Sequence, residues 1–221
     1  MPIGAIYSGV NELARHFSKS GEFTITPRGV KVENIWTAYG SGTAVSVPVS
    51  LIAVPNSFFV CALAYDAAQN ITNYTLGGVT TPILAGSAIP VGAILFGLVN
   101  PTPGAQNWTA TLAAAVAWRA VCYQLSGVNQ VSSVLNASSV NVQPGTSVTA
   151  PVSAAINGLL VDVISIANGT GGQGNNGQTV TKVNNIITSG YKSTVGGTET
   201  DNYSWSISQN AMLSVAAFNP V

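Results

Sequence analysis

Residues 58–66 read Phe-Phe-Val-Cys-Ala-Leu-Ala-Tyr-Asp, and every side chain before the final aspartate is apolar or aromatic. Side chains of a β-strand point alternately to opposite faces, so an apolar residue at every position requires both faces to be covered. The stretch therefore predicts a central strand with protein layers on both sides.

Charged residues are scarce in this chain of 221 residues: seven are Lys or Arg and seven are Asp or Glu, which leaves zero net charge. They make up 6% of the chain, against about 25% in an average soluble domain. The length suffices for one domain with a substantial core and no metal or disulfide. Because phosphate binding depends on an excess of Lys and Arg, nucleic acid is not expected as a partner. Because few charged residues are available to cover the surface, we expect part of the surface to be buried against other subunits, as in a homo-oligomer.

The mean hydropathy is positive, which raises the question of a membrane segment. No run of about 18 uncharged apolar residues exists, because prolines and Arg119 interrupt the apolar stretches. The first ten residues contain no Lys or Arg, and Glu12 and Arg15 follow, so the pattern of a secretory signal is also missing. We therefore expect no membrane partner and no export, and we expect assembly in the cytoplasm.

The two cysteines, Cys61 and Cys122, both lie in apolar stretches. Their wide separation is similar to that of the bridge between the two sheets of immunoglobulin domains. The alternative is a pair of buried free thiols in a reducing compartment, and the missing export pattern favours this alternative.

Half of the charged residues, with the only histidine, fall in the first 33 positions: Glu12, Arg15, His16, Lys19, Glu22, Arg28, Lys31 and Glu33. We interpret residues 1–33 as an N-terminal extended arm that makes an assembly contact, and residues 34–221 as a β-sandwich domain. Residues 11–18 predict a short helix in this arm, with Asn11 as its N-cap and Leu13 and Phe17 on one face. The alternative is a plain N-terminal strand with a polar loop.

Beyond the arm, the patterns are those of strands and turns. Pro48 lies within alternating residues 45–50 and predicts an edge strand there, because proline cannot donate a hydrogen bond to a neighbour. Gly77-Gly78 predicts a hairpin between residues 71–76 and 79–84, and Asn157-Gly158 predicts a second between residues 149–156 and 159–166.

Two segments are less regular. Residues 126–146 are weakly patterned and predict an excursion over the surface. Residues 109–120 contain six alanines, which favours a helix, but the β-prone Trp108, Thr109 and Thr111 at the start favour a strand, which is our prediction. About ten short strands with Gly and Pro turns together predict an all-β fold, a single jelly-roll-like antiparallel β-sandwich.

Candidate catalytic residues are few. His16, the only histidine, lies in the arm, so neither a Ser-His-Asp triad nor a multi-histidine metal site can form around the core. Two carboxylates can hydrolyse glycosides, and the candidates are Asp66, Asp162, Glu199 and Asp201. Asp66 or Asp162 could also pair with Arg119. We predict strand-end and turn carboxylates rather than an enzyme, with no catalytic, metal or cofactor-binding residue.

Several features occur in a characteristic order along the chain. They are the apolar strand 58–66, the segment around Gly77-Gly78, Pro103-Gly104 before Trp108, Ser-Gly-Val-Asn at 126–129, Asn-Gly-Leu-Leu-Val-Asp at 157–162, and Ser-Trp-Ser-Ile at 204–207 before 212–218. Over residues 45–219 this order resembles a β-sandwich domain of tailed-phage structural proteins, which also occurs in prophage and bacterial surface proteins. The resemblance implies a capsid decoration, cement or fibre module without cofactor or catalytic residues.

We therefore expect a structural virion protein of a tailed bacteriophage, a capsid decoration or cement protein attached to the major capsid protein or another virion protein. The arm residues expected to make this contact are Leu13, Arg15, His16, Phe17, Lys19, Arg28 and Lys31. A trimer would suit capsid three-fold positions. The alternative function is a carbohydrate-binding tail-fibre or receptor-binding module, in which Trp36, Tyr191 and Tyr203 would line a sugar site beside the glycine-rich loop 168–178.

Overall fold

The structure, a computed structural model, describes residues 14–17, 23–26, 29–87, 91–167, 173–174, 177–184 and 186–221. Its strands are β1 Ala14–Phe17, β2 Phe23–Thr26, β3 Lys31–Leu51, β4 Phe58–Tyr65, β5 Ile71–Leu76, β6 Val79–Thr80, β7 Ile83–Ser87, β8 Gly92–Val99, β9 Gly104–Ser126, β10 Val134–Ile166, β11 Gln173–Gly174, β12 Thr179–Val183 and β13 Ile186–Phe218. All the pairings are antiparallel. The predicted all-β antiparallel sandwich is confirmed. No helix that could span a membrane is found in the described ranges.

The central position predicted for residues 58–66 is confirmed. β4 pairs with β8 on one side and with β9 on the other, and all eight of its residues are buried. Phe58, Val60, Ala62 and Ala64 belong to one apolar core, whereas the alternate residues belong to a different one. β4 is therefore covered on both faces, as its composition requires.

β3 and β9 form a long two-stranded ribbon that folds back over itself; we name it the first ribbon. The two strands pair from Lys31 opposite Ser126 to Leu51 opposite Gly104. The residue after β3, Ile52, exchanges backbone hydrogen bonds with the side chain of Gln124, near the other end of the ribbon. An apolar core fills the space between the two halves of the ribbon, and Trp108 is its largest fully buried side chain.

β10 and β13 form the second ribbon, which folds back in the same way. Residues 159–166 of β10 pair on one side with residues 211–218 of β13, and residues 159–163 pair on the other side with residues 189–193. The outer half of this ribbon consists of residues 147–156 paired with residues 195–204. A further apolar core lies between its inner and outer halves.

The inner halves of the two ribbons face each other across a third, central core. This core contains Val121 and Tyr123 of the first ribbon and Val161 and Val163 of the second. Phe58 and Phe218 also meet there, with ring centroids 5.1 Å apart in an edge-on arrangement. The sandwich therefore has four β layers and three cores, and the folded ribbons are the form that the predicted jelly-roll-like arrangement takes.

Several local predictions are confirmed. Gly77-Gly78 joins β5 to β6 in a hairpin, with Leu76 opposite Val79, although the second strand ends at Thr80 and residues 83–87 form the separate β7. The alanine-rich residues 109–120 are part of β9. β3, which contains Pro48, pairs with β9 alone among the described residues and is an edge strand.

Other local predictions are wrong. Asn157-Gly158 does not close a hairpin: β10 continues through it, with a break in register and with Asn157 at φ 60°. Residues 134–146, predicted as a surface excursion, are the first part of β10. Ala14–Phe17 form a strand paired with Phe23–Thr26 rather than part of a helix. The structure has a few very long strands and several short ones, instead of the predicted ten short strands. A long strand can bend without ending, because its hydrogen bonds continue on both sides of the bend.

The two cysteines are buried and free, which agrees with the favoured alternative. Cys61 and Cys122 are direct partners on adjacent strands β4 and β9 of one sheet, so they do not bridge two sheets. Burial is the main cause that raises the pKa of the Cys61 thiol.

Candidate functional site

A cluster of charged side chains lies between the inner and outer halves of the second ribbon. Alternation along β13 places Glu199, Asp201 and Tyr203 on the same face, and this face looks inward toward β10. Asp162 of β10 points into the same space, and Lys192 reaches it from the first part of β13. We call Asp162, Lys192, Glu199 and Asp201 the carboxyl cluster.

Asp162 is completely buried, and neighbouring donors fix its position. Its Oδ1 accepts a hydrogen bond from the backbone N–H of Gly190 at 2.7 Å and another from the hydroxyl of Tyr203 at 2.8 Å. A Cβ atom at position 190 would lie 2.9 Å from Asp162 Oδ2 and 2.8 Å from the Tyr203 hydroxyl, so the approach requires glycine. Oδ2 has no hydrogen bond within the described residues.

Asp201 is also completely buried, and neither of its carboxylate oxygens has a hydrogen bond to any described residue. Its charge partner is Lys192, whose Nζ lies 3.4 Å from Asp201 Oδ1 and 3.6 Å from Glu199 Oε2. The same ammonium donates a 2.6 Å hydrogen bond to the backbone carbonyl of Thr200. Glu199 Oε1 accepts a 3.0 Å hydrogen bond from the backbone N–H of Val195. One cation thus faces several carboxyl groups in a space that is largely closed to water.

Burial decides the protonation of this cluster. Loss of hydration raises the pKa of Asp162 well above its usual range, and the nearby charge of Asp201 raises it further. Burial likewise raises the pKa of Asp201, although the Lys192 ammonium opposes this effect. Burial and the charge of Asp162 raise the pKa of the Tyr203 hydroxyl. Burial therefore favours the neutral acid at both positions, and Asp162 and Asp201 titrate as an interacting pair.

An open groove of about 450 Å³ lies on the surface beside the carboxyl cluster. Its lining combines hydroxyl, apolar and charged groups, namely Gly177, Thr179, Tyr191, Lys192, Ser193, Val195 and Glu199. Lys192 and Glu199 therefore belong both to the cluster and to the groove, whereas Asp162 and Asp201 lie behind them, out of contact with solvent.

The three aromatic residues of the predicted sugar site do not come together. Trp36 is half-buried against the core of the first ribbon, and Tyr191 is half-buried against the central core. Tyr203 is fully buried in the core of the second ribbon, where its hydroxyl binds Asp162, so its ring cannot stack on a sugar. Only Tyr191 of the three lines the groove.

The candidate carboxylates Asp66 and Asp162 have different partners. Asp66 follows β4 and binds Arg119, with Nη2 and Oδ1 2.5 Å apart, which confirms one of the two pairings proposed for Arg119. The carboxyl group beside Asp162 is that of Asp201. The sequence contains a signal for this arrangement, because Glu199, Asp201, Tyr203 and Trp205 alternate with polar residues in a strand-like manner. The turn position predicted for Glu199 and Asp201 is wrong, since both lie within β13.

Most of the predicted arm contacts lie outside the described side chains. Residues 14–17 belong to β1, but only the backbone pairing of this strand is described, and Lys19 and Arg28 are outside the described residues. Lys31 is exposed at the first position of β3, opposite Ser126.

No group of three His, Cys, Asp or Glu side chains is placed to hold a metal ion in the part of the chain that the structure describes. Comparison of the chain with protein-family models, with curated proteins and with solved structures yields no match.

Proposed function

We propose that the protein is a structural component of a tailed-phage virion: a capsid decoration or cement protein that its N-terminal arm attaches to the major capsid protein or another virion protein. In this proposal the sandwich supplies a rigid body, and homo-oligomers of it, trimers among them, sit on the outer surface of the shell.

The observation that carries the proposal is the way the charged N-terminal segment joins the sandwich. Val30 is buried in the central core, and its backbone N–H donates a 3.0 Å hydrogen bond to the carbonyl of Asn157. β3 begins at the next residue and runs for 21 residues along the edge of its sheet. A contact made by the arm would therefore be transmitted to both ribbons at once, because Val30 links the start of the first ribbon to the bend of the second.

The interior of the protein supports the same role. Apolar packing continues through all three cores, so the two ribbons form a body that resists deformation. Exposed residues alternate with half-buried ones in the first part of β3, and Ile35 and Tyr39 are among the exposed ones. An edge strand with exposed apolar side chains is a surface that suits contact with a neighbouring subunit.

The proposal is tested with full-length protein and purified capsids that lack it. We expect the triple variant Arg15→Glu, Lys19→Glu and Arg28→Glu to bind capsids at least about tenfold more weakly, because reversed charges in the arm oppose the contact. Lys182→Glu, an exposed site on β12, is the matched control and should bind as the parent does. Equal binding of the triple variant and the parent in a sedimentation assay would contradict the role of the arm.

Carbohydrate binding is a second candidate, because the groove places Tyr191 and Val195 beside the hydroxyl groups of Thr179 and Ser193. Sugars bind to such mixtures of apolar and hydrogen-bonding groups. A glycan array is the first measurement, and Tyr191→Ala is expected to abolish any signal that arises in the groove. Binding that survives this substitution would place the sugar elsewhere, and an array without specific signal would remove this candidate.

A further inference from the structure

Lys192, Glu199 and Asp201 are arranged like the reactants of an amide-forming reaction. Lys192 Nζ, a nucleophile when it is neutral, lies 3.4 Å from a carboxyl oxygen of Asp201, and Glu199 Oε2 lies 3.6 Å from the same nitrogen. The atoms that would form a bond are Nζ and Asp201 Cγ, the carbon that carries this oxygen, so the ion pair already holds the two groups in contact. The Asp201 side chain has no solvent contact, and that of Lys192 is only 11% exposed.

We propose that Lys192 and Asp201 join covalently, through an amide bond between Lys192 Nζ and Asp201 Cγ, and that Glu199 carries the proton in this reaction. The result is an intramolecular cross-link within β13, at the border between the inner and outer halves of the second ribbon. This inference is independent of the proposed function.

The reaction balances without an oxidant, a cofactor or a metal. The Lys192 ammonium first loses a proton to the Glu199 carboxylate, and Asp201 reacts as the neutral acid. The nitrogen lone pair then attacks Asp201 Cγ and forms the C–N bond. Protonated Glu199 delivers its proton to the departing hydroxyl group of Asp201 and takes up the second proton of the nitrogen. The C–O bond breaks, and one water molecule leaves.

The surroundings of Asp201 favour the neutral acid that this step needs. Neither of its oxygens makes a hydrogen bond of good geometry to a described residue. Burial has the largest influence on the pKa of Asp201 and raises it, which favours the form whose Cγ can be attacked, although Lys192 and the Asp162 carboxyl oppose this shift. Burial also raises the pKa of Asp162 beside it.

The product is also favoured by the surroundings. An amide carries no charge, so the reaction removes an ammonium and a carboxylate from a site where charges are poorly hydrated. The water molecule that leaves can pass into the adjoining groove, which Lys192 and Glu199 line. The hydrogen bond from Lys192 to the carbonyl of Thr200 already holds the nitrogen next to residue 201.

The mass of the purified, denatured full-length protein tests the proposal directly. We expect a mass lower than that of the sequence by one water molecule, and we expect trypsin to leave the chain uncut after Lys192. Fragmentation should identify a branched peptide that joins residues 192 and 201. Ring closure at an Asn-Gly pair such as Asn157-Gly158 would release ammonia instead, so its mass change is different.

Variants identify the roles. Lys192→Arg should retain the full mass, and Glu199→Gln should slow formation of the link by about a hundredfold or more, as is typical when a general acid-base group is lost. Lys182→Arg, at an exposed position of β12, is the matched control and should form the link normally. If folded, aged parent protein retains the full mass of its sequence, the proposal is wrong whatever the variants do. A water loss that persists in Lys192→Arg would overturn it equally.

Discussion

The two ribbons have the same shape but different interiors. Between the halves of the first ribbon the side chains are mainly apolar and aromatic, and the ring centroid of Phe96 lies 5.1 Å from that of Tyr74 and 5.2 Å from that of Trp108. Between the halves of the second ribbon, an apolar core borders on buried Asp162 and Asp201. Each ribbon can fold back because alternate residues of its strands are apolar and fill the space between its halves. In the second ribbon this apolar filling is incomplete beside the groove, and charged side chains lie there.

The same ribbon architecture can enclose an apolar interior or an interior with buried charges, and the two interiors are stabilised in different ways. Apolar contacts in the first ribbon stabilise it simply by excluding water. The charges in the second ribbon must be matched one by one, since an unmatched buried charge costs several kcal/mol. We therefore expect the first ribbon to be sensitive to lost volume, and the second to be sensitive to lost charge and to pH.

The largest effect should come from Trp108→Ala in the first ribbon. Trp108 is fully buried, and its indole N–H donates a 3.0 Å hydrogen bond to the hydroxyl of Thr81. Removing the ring leaves a large cavity and should lower the free energy of unfolding by about 4 kcal/mol. Denaturant unfolding measures this change, with the exposed Val79→Ala as control, for which a change within about 0.5 kcal/mol is expected. A loss below about 2 kcal/mol for Trp108→Ala would show that the first interior is loosely packed.

Lys192→Met should have the next largest effect, because it removes the cation that faces Asp201 and Glu199. We expect the free energy of unfolding at neutral pH to fall by about 3 kcal/mol, since the carboxylates remain buried without compensation. Loss of the proposed cross-link would act in the same direction. Lys182→Met, at an exposed position of β12, is the control and should change stability little. Equal stability of the two variants would mean that the charges of the second ribbon are matched by other groups.

A pair of Trp→Phe substitutions compares the two interiors with the same loss of side-chain volume at each site. Trp108→Phe leaves the Thr81 hydroxyl buried without its donor and should cost about 1–3 kcal/mol. Trp205 of the second ribbon is also buried, but its indole N–H has no hydrogen-bond partner among the described residues. Trp205→Phe therefore removes an unpaired polar group and should cost less than Trp108→Phe. The reverse order in unfolding experiments would contradict these hydrogen-bond assignments.

The smallest effect should be a dependence on pH that comes from the second ribbon. The raised pKa values of Asp162 and Asp201 mean that the folded protein binds their proton more tightly than the unfolded chain does. The stabilising contribution is therefore present at acid pH, and it is lost as the pH rises from the unfolded Asp value of about 3.9 through the raised folded values. If the folded and unfolded chains differ by one bound proton, the free energy of unfolding cannot change by more than about 1.4 kcal/mol per pH unit.

Asp162→Asn should flatten this dependence, because an amide keeps the carbonyl acceptor for Gly190 and Tyr203 and needs no proton. Asp66→Asn is the control: it alters the ion pair with Arg119, and the slope that comes from the cluster should persist. Thermal unfolding from pH 4 to pH 8 provides the measurement. Identical slopes for the parent and Asp162→Asn would assign the pH dependence to other groups.

Local sequence patterns predicted the parts of the fold that depend on local chemistry. The apolar stretch 58–66, the Gly77-Gly78 turn and the edge position of Pro48 are all as predicted. Asn157-Gly158 misled because the left-handed φ that asparagine adopts in a tight turn also serves a bend within a continuing strand, as it does here. Only the pairing partner distinguishes the two cases, and that partner, β13, lies far along the chain.

The candidate site shows the same limit. The alternation of Glu199, Asp201 and Tyr203 is visible in the sequence, but the inward direction of that face depends on the outer half of the second ribbon lying over its inner half. Asp162 and Asp201 come together by this fold-over, 39 positions apart in the chain. Polar residues in a strand are usually exposed, so their burial could not be read from their type.

The amino-acid sequence by itself determined that the chain is built from strands, that residues 58–66 are central, and that charge is concentrated at the N-terminus. These properties follow from side-chain type and from alternation with a period of two, which act over a few residues. The tertiary structure alone decided that two long ribbons fold over themselves, that the cysteines are partners within one sheet, and that Lys192 meets Asp201 and Glu199. Those outcomes depend on pairing between distant strands, whose free energy no local segment contains.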